Sequence, residues 1–404
     1  MAKDISTTCC IAGGGPAGMM LGYLLARAGI DVTVLEKHPD FLRDFRGDTI
    51  HPSTLEVMHE LGLAEELLQQ PHEKASQLKG VIGVNEFVMA DLSRLPVRSK
   101  FIALMPQWDF LNFLSSKAKA YPNFKLLMQT KATGLIEENG KVKGVTANTP
   151  DGEINIRAEL TIGADGRHST IREKAGLEVK DIGAPIDVLW MRISRLASDP
   201  EQPVGRFDRG QVFVMIYRGT YWQCAYVIPK GEFENIKAKG LEEFRRNIAH
   251  ASSFLGERAN EITDWDQVKL LTVTVDRLKK WWRPGLLCIG DSAHAMSPIG
   301  GIGINLAIQD AVAAANILIP AFRKNKIDDS VLANIQKRRA WPTKLTQFLQ
   351  VMAQNRILRP AISGNSSRPS RLGRWITSRK WLRFVTARIV GMGFRPEHVS
   401  KDIF

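Results

Sequence analysis

The alternation of apolar and polar residues predicts a chain that switches repeatedly between helical and extended segments. Residues 7–12 are β-branched and apolar, which indicates a buried strand, and residues 16–28 have helical spacing. Residues 31–35 have the pattern of a second strand, so the chain begins as a β–α–β unit. Residues 286–289 repeat the buried-strand pattern, and a long helix is predicted over 304–322.

Two stretches between these segments have a different pattern. Residues 74–105 and 181–275 contain short alternating runs typical of antiparallel strands, with strand candidates at 187–193, 211–217 and 221–228. We therefore predict an α/β fold with a Rossmann-like domain, interrupted twice by a β-rich domain and followed by a helical C-terminal extension. Within the extension we expect helix breaks at Pro342, at Pro360 and in the loop 363–370.

The domain boundaries follow from the same changes of pattern. We assign residues 1–73, 106–180 and 276–330 to the Rossmann-like domain, 74–105 and 181–275 to the β-rich substrate domain, and 331–404 to the extension.

Positive charge is concentrated in that extension. The chain of 404 residues has a formal net charge of +13, but residues 337–395 contain 14 Lys and Arg and no Asp or Glu. The rest of the chain has 41 basic and 42 acidic residues and is nearly neutral. We therefore expect no nucleic-acid partner, since the body of the protein also has no recognisable nucleic-acid module.

Cysteine spacing argues against a metal site. Cys9, Cys10, Cys224 and Cys288 have neither CxxC nor metal-ligand spacing, and three of them lie in apolar strand patterns that suit buried reduced thiols. The first residues lack the pattern of a secretory leader, and no uninterrupted apolar run is long enough to span a membrane. We expect a cytoplasmic protein.

A glycine-rich turn follows the first strand and predicts a dinucleotide site. Gly13, Gly15 and Gly18 have Gly-x-Gly-x-x-Gly spacing, and Pro16 and Ala17 begin the helix. Such glycines allow a tight turn, close approach of backbone to a pyrophosphate, and close packing of helix on strand. Glu36, with Lys37 beside it, ends the second strand at the distance where a carboxylate accepts ribose hydroxyls. The alternative is a glycine-rich turn without a ligand.

A later motif favours a flavin dinucleotide. The buried strand 286–289 ends in Gly290 and Asp291, which places a carboxylate at the carboxyl end of a strand. Pro298 then precedes a second glycine turn that leads into a helix through Gly301, Gly303, Ile304 and Asn305. This turn and helix N-terminus are suited to present N–H groups to an electron-rich flavin edge.

Together with the internal segment Asp165-Gly166, these ordered motifs resemble the single-component FAD-dependent aromatic hydroxylases, which have the p-hydroxybenzoate hydroxylase fold. The resemblance covers about residues 5–315. It implies that Glu36 holds the adenosine ribose of FAD and that Asp291 holds a ribityl hydroxyl. It also implies FAD contacts for Arg46 and Gln107, and for Asp165 a part in both FAD and NAD(P)H use.

These family roles leave alternatives open. Asp165 could serve only as a helix cap with an ion pair to Arg167, and Arg46 and Gln107 could be ordinary surface residues. The histidines near the motifs have no metal-ligand spacing.

The resemblance also implies a reaction. NAD(P)H would reduce the flavin, O2 would form a C4a-hydroperoxide beside Pro298, and the distal oxygen would pass to an aromatic, polycyclic or quinone-like substrate. Arg192 or Tyr217 would assist deprotonation of a phenol. The pocket is expected to lie between the flavin and the β-rich strands, with the aromatic and apolar residues Trp190, Phe213, Met215, Trp222 and Tyr226. The alternative is that these side chains form the core of that domain.

Other functions remain open at this stage. A flavin-dependent halogenase is disfavoured, because both tryptophans of its signature are missing from residues 224–229. An FAD-dependent reductase or dehydrogenase acting on a lipophilic prenyl or quinone substrate at a membrane surface is the main alternative, and a flavin scaffold without turnover is a third.

The basic extension adds a possible membrane contact to these alternatives. Trp381, Leu382, Val385 and Ile389 share one helical face, which predicts either packing on the protein or peripheral membrane contact. The sequence makes no prediction of oligomeric state.

Overall fold

The fold is taken from a computed structural model, which describes residues 3–42, 49–82, 85–200, 204–208, 210–252, 254–362 and 380–401. Its strands, numbered along the chain, are β1 Lys3–Ala12, β2 Val32–Leu35, β3 Thr49–Ile50, β4 Glu73–Ala75, β5 Gln77–Ile82, β6 Asn85–Asp91, β7 Ile102–Leu104, β8 Phe124–Leu127, β9 Lys131–Glu138, β10 Lys141–Thr149, β11 Gly152–Gly163, β12 Val179–Asp181, β13 Ile186–Ser194, β14 Val204–Asp208, β15 Gln211–Arg218, β16 Tyr221–Pro229, β17 Lys269–Leu271, β18 Asp276–Leu278, β19 Trp282–Arg283 and β20 Leu286–Cys288.

The α-helices are numbered in the same way. They are α1 Pro16–Arg27, α2 Pro52–Glu60, α3 Ala64–Leu67, α4 Gln107–Ala118, α5 Thr170–Lys174, α6 Phe233–Ala238, α7 Leu241–Ala251, α8 Gly303–Arg323, α9 Asp329–Ala353, α10 Arg359–Ile362 and α11 Lys380–Met392.

The main sheet has the strand order β19-β20-β11-β1-β2-β8, with the β9–β10 hairpin added beside β11. β1 pairs in parallel with β11 and with β2, and β11 pairs in parallel with β20. The strands and helices α1, α4 and α8 enclose one large apolar core, in which Cys9, Cys10 and Cys288 are buried free thiols as predicted. This is the predicted Rossmann-like arrangement, with parallel strands whose carboxyl ends share an edge.

A second sheet is assembled from two distant parts of the chain. Its order is β17-β13-β16-β15-β14-β5-β6, and the parallel pair β14–β5 joins the two parts. Helices α6 and α7 cover one face and bury a separate apolar cluster. An α/β fold interrupted by a β-rich unit and followed by a helical C-terminal region is therefore confirmed, while the domain boundaries remain predictions.

Helix α9 corrects one prediction for the extension. The sequence predicted a break at Pro342, but α9 continues through this residue to Ala353. A proline removes one backbone donor, and its cost is offset here because the Pro342 ring is buried against the rest of the protein. The helix widens into a π-turn at Gln354–Leu358 and continues as α10 through Pro360 to Ile362, so the break predicted at Pro360 is also wrong. The predicted loop 363–370 lies outside the described residues.

Helix α8 is the central helix of the core. The helical stretch Ile299–Arg323 is long and apolar enough to cross a membrane, but 83% of its apolar window is buried inside the protein. Burial of its surface, mainly against α1 and α9, accounts for its apolar composition.

Helix α11 packs through a different face from the predicted one. Ala387 is fully buried, and Phe384 and Val390 pack in the same small cluster. Trp381 and Val385 are exposed instead, with 59% and 40% of their surface accessible. The helix therefore docks on the protein and leaves part of its apolar surface in solvent.

A buried ion pair lies where β13 ends and β16 begins in the second sheet. Arg258 donates to both carboxylate oxygens of Asp199, at 2.6 and 2.8 Å, and Trp222 Nε1 donates to Asp199 Oδ2 at 2.8 Å. Burial by itself raises the pKa of Asp199, but the hydrogen bonds from Arg258, Trp222 and the Leu196 N–H outweigh it and lower this pKa to about 2. The pair therefore stabilises the fold only while Asp199 is ionised.

We predict that Asp199→Asn lowers the free energy of unfolding at neutral pH by about 3 kcal/mol, because Arg258 is left without its countercharge. The depressed pKa means that this stabilisation is fully present above about pH 4 and is lost as pH falls towards 2. Urea titrations at several pH values should show the wild-type and variant curves converging in acid. Glu257→Gln, at an exposed position in the same turn, should change little; a pH-independent difference for Asp199→Asn would contradict the assignment.

Candidate FAD and substrate site

The first glycine turn is packed so closely that larger residues are excluded. Gly13 has φ +112°, and a Cβ atom there would lie 2.3 Å from the Ala164 carbonyl oxygen. A Cβ on Gly18 would lie 1.9 Å from the Gly13 carbonyl oxygen. The turn at the end of β1 is thereby locked against α1 and against the chain that follows β11.

The N-terminus of α1 is open on the side facing away from this packed turn. A Cβ on Gly15 would have nothing within 4 Å, and no side chain caps the helix. Pro16 has no N–H group, so the backbone donors of Ala17 and Gly18 are the first that α1 can offer. An uncapped helix N-terminus behind an open glycine backbone fits the pyrophosphate of a dinucleotide.

Glu36 lies beside this turn in a fixed orientation. Its side chain is buried, with Oε2 accepting the Gly14 N–H at 3.2 Å and Oε1 accepting the His38 N–H at 3.0 Å. These bonds hold the carboxylate at the carboxyl end of β2, the position where a carboxylate binds ribose hydroxyls in such folds. Lys37, the next residue, is exposed at the rim.

The Gly290–Asp291 segment meets the first turn directly. Gly290 has φ +60°, and a Cβ there would lie 3.1 Å from the Ala17 Cβ in α1 and 3.3 Å from the Ala307 Cβ in α8. Asp291 is partly exposed, and its Oδ2 lies 3.5 Å from a terminal nitrogen of Arg167. Two motifs that are 277 residues apart, as Gly13 and Gly290, therefore line one continuous surface.

Asp165 is used by the protein itself. It accepts hydrogen bonds from the Ser169 hydroxyl and, at 3.1 Å, from the Ile171 N–H at the start of α5. Burial raises the pKa of its carboxyl group above the usual value, and these hydrogen bonds offset only part of the rise. The helix-cap alternative thus describes its contacts, but the expected ion pair does not form, because Arg167 pairs with Asp291 instead.

The second glycine turn is tied to the small sheet β3-β7-β4. Gly300 and Gly301 have φ +75° and +63°, and the Thr49 hydroxyl donates to the Gly301 carbonyl at 2.9 Å. Helix α8 begins at Gly303 without a side-chain cap, and a Cβ on Gly303 would have nothing within 4 Å. The N–H groups of Gly303 and Ile304 therefore belong to a second open helix N-terminus, which follows Pro298 and the glycines.

Asn305 organises this turn through its amide. Its Oδ1 accepts the His51 N–H and the Thr54 hydroxyl, each at 2.8 Å, and its Nδ2 donates to the Thr49 and Gly301 carbonyls at 3.0 and 3.2 Å. All four hydrogen-bonding positions of the amide are thus used within the protein. The side chain shapes the flavin side of the site rather than offering a free group to it.

Of the other two expected FAD contacts, the structure describes Gln107 but not Arg46. Gln107 is the first residue of α4 and is partly buried. Arg46 lies outside the described residues.

The second sheet has two faces with different surroundings. Trp190, Val214 and Ala225 are neighbours across three strands. They pack in one cluster with Ile299 of the second glycine turn and with Ala361 and Ile362 of α10. Of the expected pocket residues, Trp190 is the one on this face. Arg192 follows it on the same face, is exposed and stacks over the Tyr221 ring at 3.7 Å.

The other expected aromatic residues lie on the opposite face. Phe213, Met215, Trp222 and Tyr226 are buried in the cluster beneath α6 and α7, so the alternative of a structural core describes their positions. Tyr217 shares this face, with its ring 6.0 Å from that of Trp222 and the Arg195 guanidinium 4.4 Å above it. The structure therefore does not bring Tyr217 together with the glycine turn.

A polar group on the turn-facing side escaped the sequence prediction. Arg218 lies two residues beyond Ile216 on the same face of β15, and its Nε donates to Gln223 Oε1 at 3.0 Å. Asp109 in the first turn of α4 is close enough to interact electrostatically with Arg218. Burial raises the pKa of Asp109, and the positive charge of Arg218 offsets only part of the rise. The available signal was Gln223, a polar residue in the otherwise apolar strand β16.

Comparison with known proteins agrees with this geometry. The family described as FAD binding domain matches residues 6–349. The chain is 30% identical to 6-methylpretetramide 4-monooxygenase of Streptomyces rimosus, over all of this chain and 96% of the relative. It is 26% identical to digeranylgeranylglycerophospholipid reductase of Methanocella arvoryzae, over 80% of each chain.

The fold is shared with OxyS, the anhydrotetracycline hydroxylase of Streptomyces rimosus. The TM-score is 0.74 at 20% identity, and the match covers 96% of this chain and 76% of that structure. The open helix N-termini of α1 and α8, the buried Glu36 and the contact between Gly290 and Ala17 all fit one extended FAD. The chain therefore belongs to the FAD-binding-domain family, among the FAD-dependent aromatic monooxygenases.

Proposed function

We propose that this monooxygenase uses NAD(P)H and O2 to hydroxylate a polycyclic aromatic small molecule that carries phenolic hydroxyl groups. The observation that carries the substrate class is the face of the second sheet that packs with Ile299, because it combines an apolar floor with a cationic group. Trp190, Val214 and Ala225 supply the floor, and Arg218 with Gln223 lies farther along the same face.

The residues have separable tasks in this proposal. Glu36 and the N-terminus of α1 bind the ADP half of FAD, Asp291 the ribityl chain, and the turn from Pro298 to Ile304 borders the ring. FAD, when bound, supplies electron transfer from NAD(P)H and the activation of O2. Asp165 holds the loop that directs Arg167 to Asp291, next to the surface where a nicotinamide cofactor can approach.

The substrate tasks fall to the sheet and to α4. The apolar floor excludes water and positions a flat ring system against the turn. Arg218 stabilises the negative charge of a phenolate oxygen, while Gln223 and Asp109 keep the guanidinium in place. A ring activated in this way is electron-rich at the carbon atoms that accept an oxygen atom. The polycyclic class is also supported by the likeness to 6-methylpretetramide 4-monooxygenase.

The main alternative is an FAD-dependent reductase acting on a lipophilic prenyl or quinone substrate at a membrane surface. It is favoured by the likeness to digeranylgeranylglycerophospholipid reductase and by the exposure of Trp381 and Val385 on the basic helix α11. The two functions differ in their need for oxygen.

We expect NAD(P)H oxidation by the FAD-loaded protein to be stimulated by polycyclic phenols in air and to stop after one turnover without O2. The measurement is nicotinamide absorbance in parallel with an oxygen electrode, across a panel of phenols, quinones and prenyl lipids. Repeated turnover in the absence of O2, with a reduced lipid or quinone as product, would replace the hydroxylase with the reductase.

We predict that Arg218→Gln raises the KM for a phenolic substrate about 10- to 100-fold, because a charge-assisted hydrogen bond contributes about 1.5–3 kcal/mol. Arg218→Lys keeps the charge and should recover part of the loss. FAD affinity should stay at the wild-type value in both variants, since Arg218 is placed on the substrate side.

Tyr217→Phe compares the sequence prediction with the placement of Tyr217 under α6 and α7. The placement predicts an unchanged KM and an unchanged pH profile for this variant. The proposal would be contradicted if Tyr217→Phe lost one limb of the pH–activity profile while Arg218→Gln kept the wild-type KM. The phenol would then bind on the face of the sheet that carries Tyr217.

A further inference from the structure

A chain of buried charged residues runs from the Gly290–Asp291 segment to the C-terminal residues. Asp310 of α8 is fully buried, and its Oδ2 accepts the Gly290 N–H at 3.1 Å and lies 2.5 Å from His294 Nε2. Its Oδ1 accepts Arg339 Nε–H at 2.9 Å. The loop that carries Asp291 is therefore held by a carboxylate that is itself oriented by Arg339.

The next link is a carboxylate close to the C-terminus. Arg339 is 1% exposed, and its terminal nitrogen donates to Glu397 Oε1 at 3.3 Å. Arg338, the neighbouring residue of α9, donates from Nε to both Glu397 oxygens at 2.8 and 2.9 Å. Two guanidinium groups thus face the two carboxylates of Asp310 and Glu397.

These partners matter because Arg339 is almost fully shielded from water. Its guanidinium donates to Asp310 from Nε and, from a terminal nitrogen, to Glu397 and to the Arg395 carbonyl. A buried charge that loses one of its partners moves to recover the missing interaction. Movement of Arg339 turns the Asp310 carboxylate, and this carboxylate is the acceptor for the Gly290 N–H.

The C-terminal segment has a second, separate attachment. Glu60 of α2 accepts the Val399 N–H at 2.7 Å, and its other oxygen lies 2.5 Å from His398 Nδ1. Among the described residues, Glu60 makes no hydrogen bond or ion pair to Asp310 or Gly290. The segment is also held on α8, where Gln309 accepts the Glu397 N–H and Asn316 bonds to His398 and Ser400. The Glu60 attachment is thus one that does not lead to the Gly290–Asp291 loop.

We propose that Glu397 is a positioning residue for FAD: through Arg339 and Asp310 it sets the Gly290–Asp291 loop, so that the C-terminal segment contributes to cofactor affinity without touching the cofactor. A segment more than 100 residues along the chain from that loop thereby becomes part of the cofactor-holding structure. The inference rests on the family membership and is independent of the substrate.

The test compares Glu397→Gln with Glu60→Gln in the full-length protein. Glu397→Gln removes the charge but keeps the shape and an acceptor, and it is expected to weaken FAD binding about tenfold, as coupling through a side-chain network does. Glu60→Gln loosens the same segment at a different attachment and should keep the wild-type FAD affinity. The measurements are FAD titration by flavin fluorescence and melting of the apoprotein with and without FAD.

Two further readouts separate positioning from general destabilisation. Glu397→Gln should show a smaller FAD-induced rise in melting temperature and a shifted flavin absorption spectrum, while apoprotein melting stays close to that of Glu60→Gln. Glu397→Asp keeps the charge and should recover most of the affinity; it also provides the test if Glu397→Gln does not fold. Wild-type FAD affinity in the folded Glu397 variants, or equal losses in Glu397→Gln and Glu60→Gln, would overturn the proposal.

Discussion

The register of three parallel strands is the constraint on which the rest of this structure depends. Ala12 of β1 is paired with Gly163 of β11, and Gly163 is paired with Cys288 of β20. The three motif loops follow these residues directly, so their backbone groups meet at one edge of the sheet. Close packing enforces the arrangement, since a Cβ on Gly163 would lie 3.0 Å from Cys288 Sγ. A strand slipped by one residue would separate the loops and turn every side chain to the other face.

The sequence predicts this edge well because its signals are local. A strand, a glycine turn and a helix lie within about thirty residues of one another in such a motif, and Glu36 is within the same unit. The faces of the second sheet were harder to predict. Alternation shows that Trp190 and Phe213 lie in strands, but only strand pairing and the position of α6 and α7 show that they point to opposite sides. Aromatic residues drew the pocket prediction to the face under α6 and α7, while the polar pair Arg218 and Gln223 lies on the opposite face.

The C-terminal extension illustrates a second limit of sequence reasoning. Its excess of Lys and Arg left a membrane-facing surface open as an alternative, yet Arg338 pairs with Glu397 and the buried Arg339 pairs with Asp310. No local pattern identifies these pairs, because their members come from α8, α9 and the final residues. The same holds for α11, where the buried stripe contains Ala387 and the predicted stripe contains the exposed Trp381. Long-range packing decided both outcomes.

The central claim is that one extended FAD, held at this sheet edge, serves oxygen insertion into a ring positioned on the second sheet. The most direct test is turnover of the best phenolic substrate under 18O2, with mass spectrometry of the product. We predict one 18O atom in each product molecule, together with consumption of one NAD(P)H. A product that contains no 18O under the same conditions, despite steady NAD(P)H oxidation, would contradict the account.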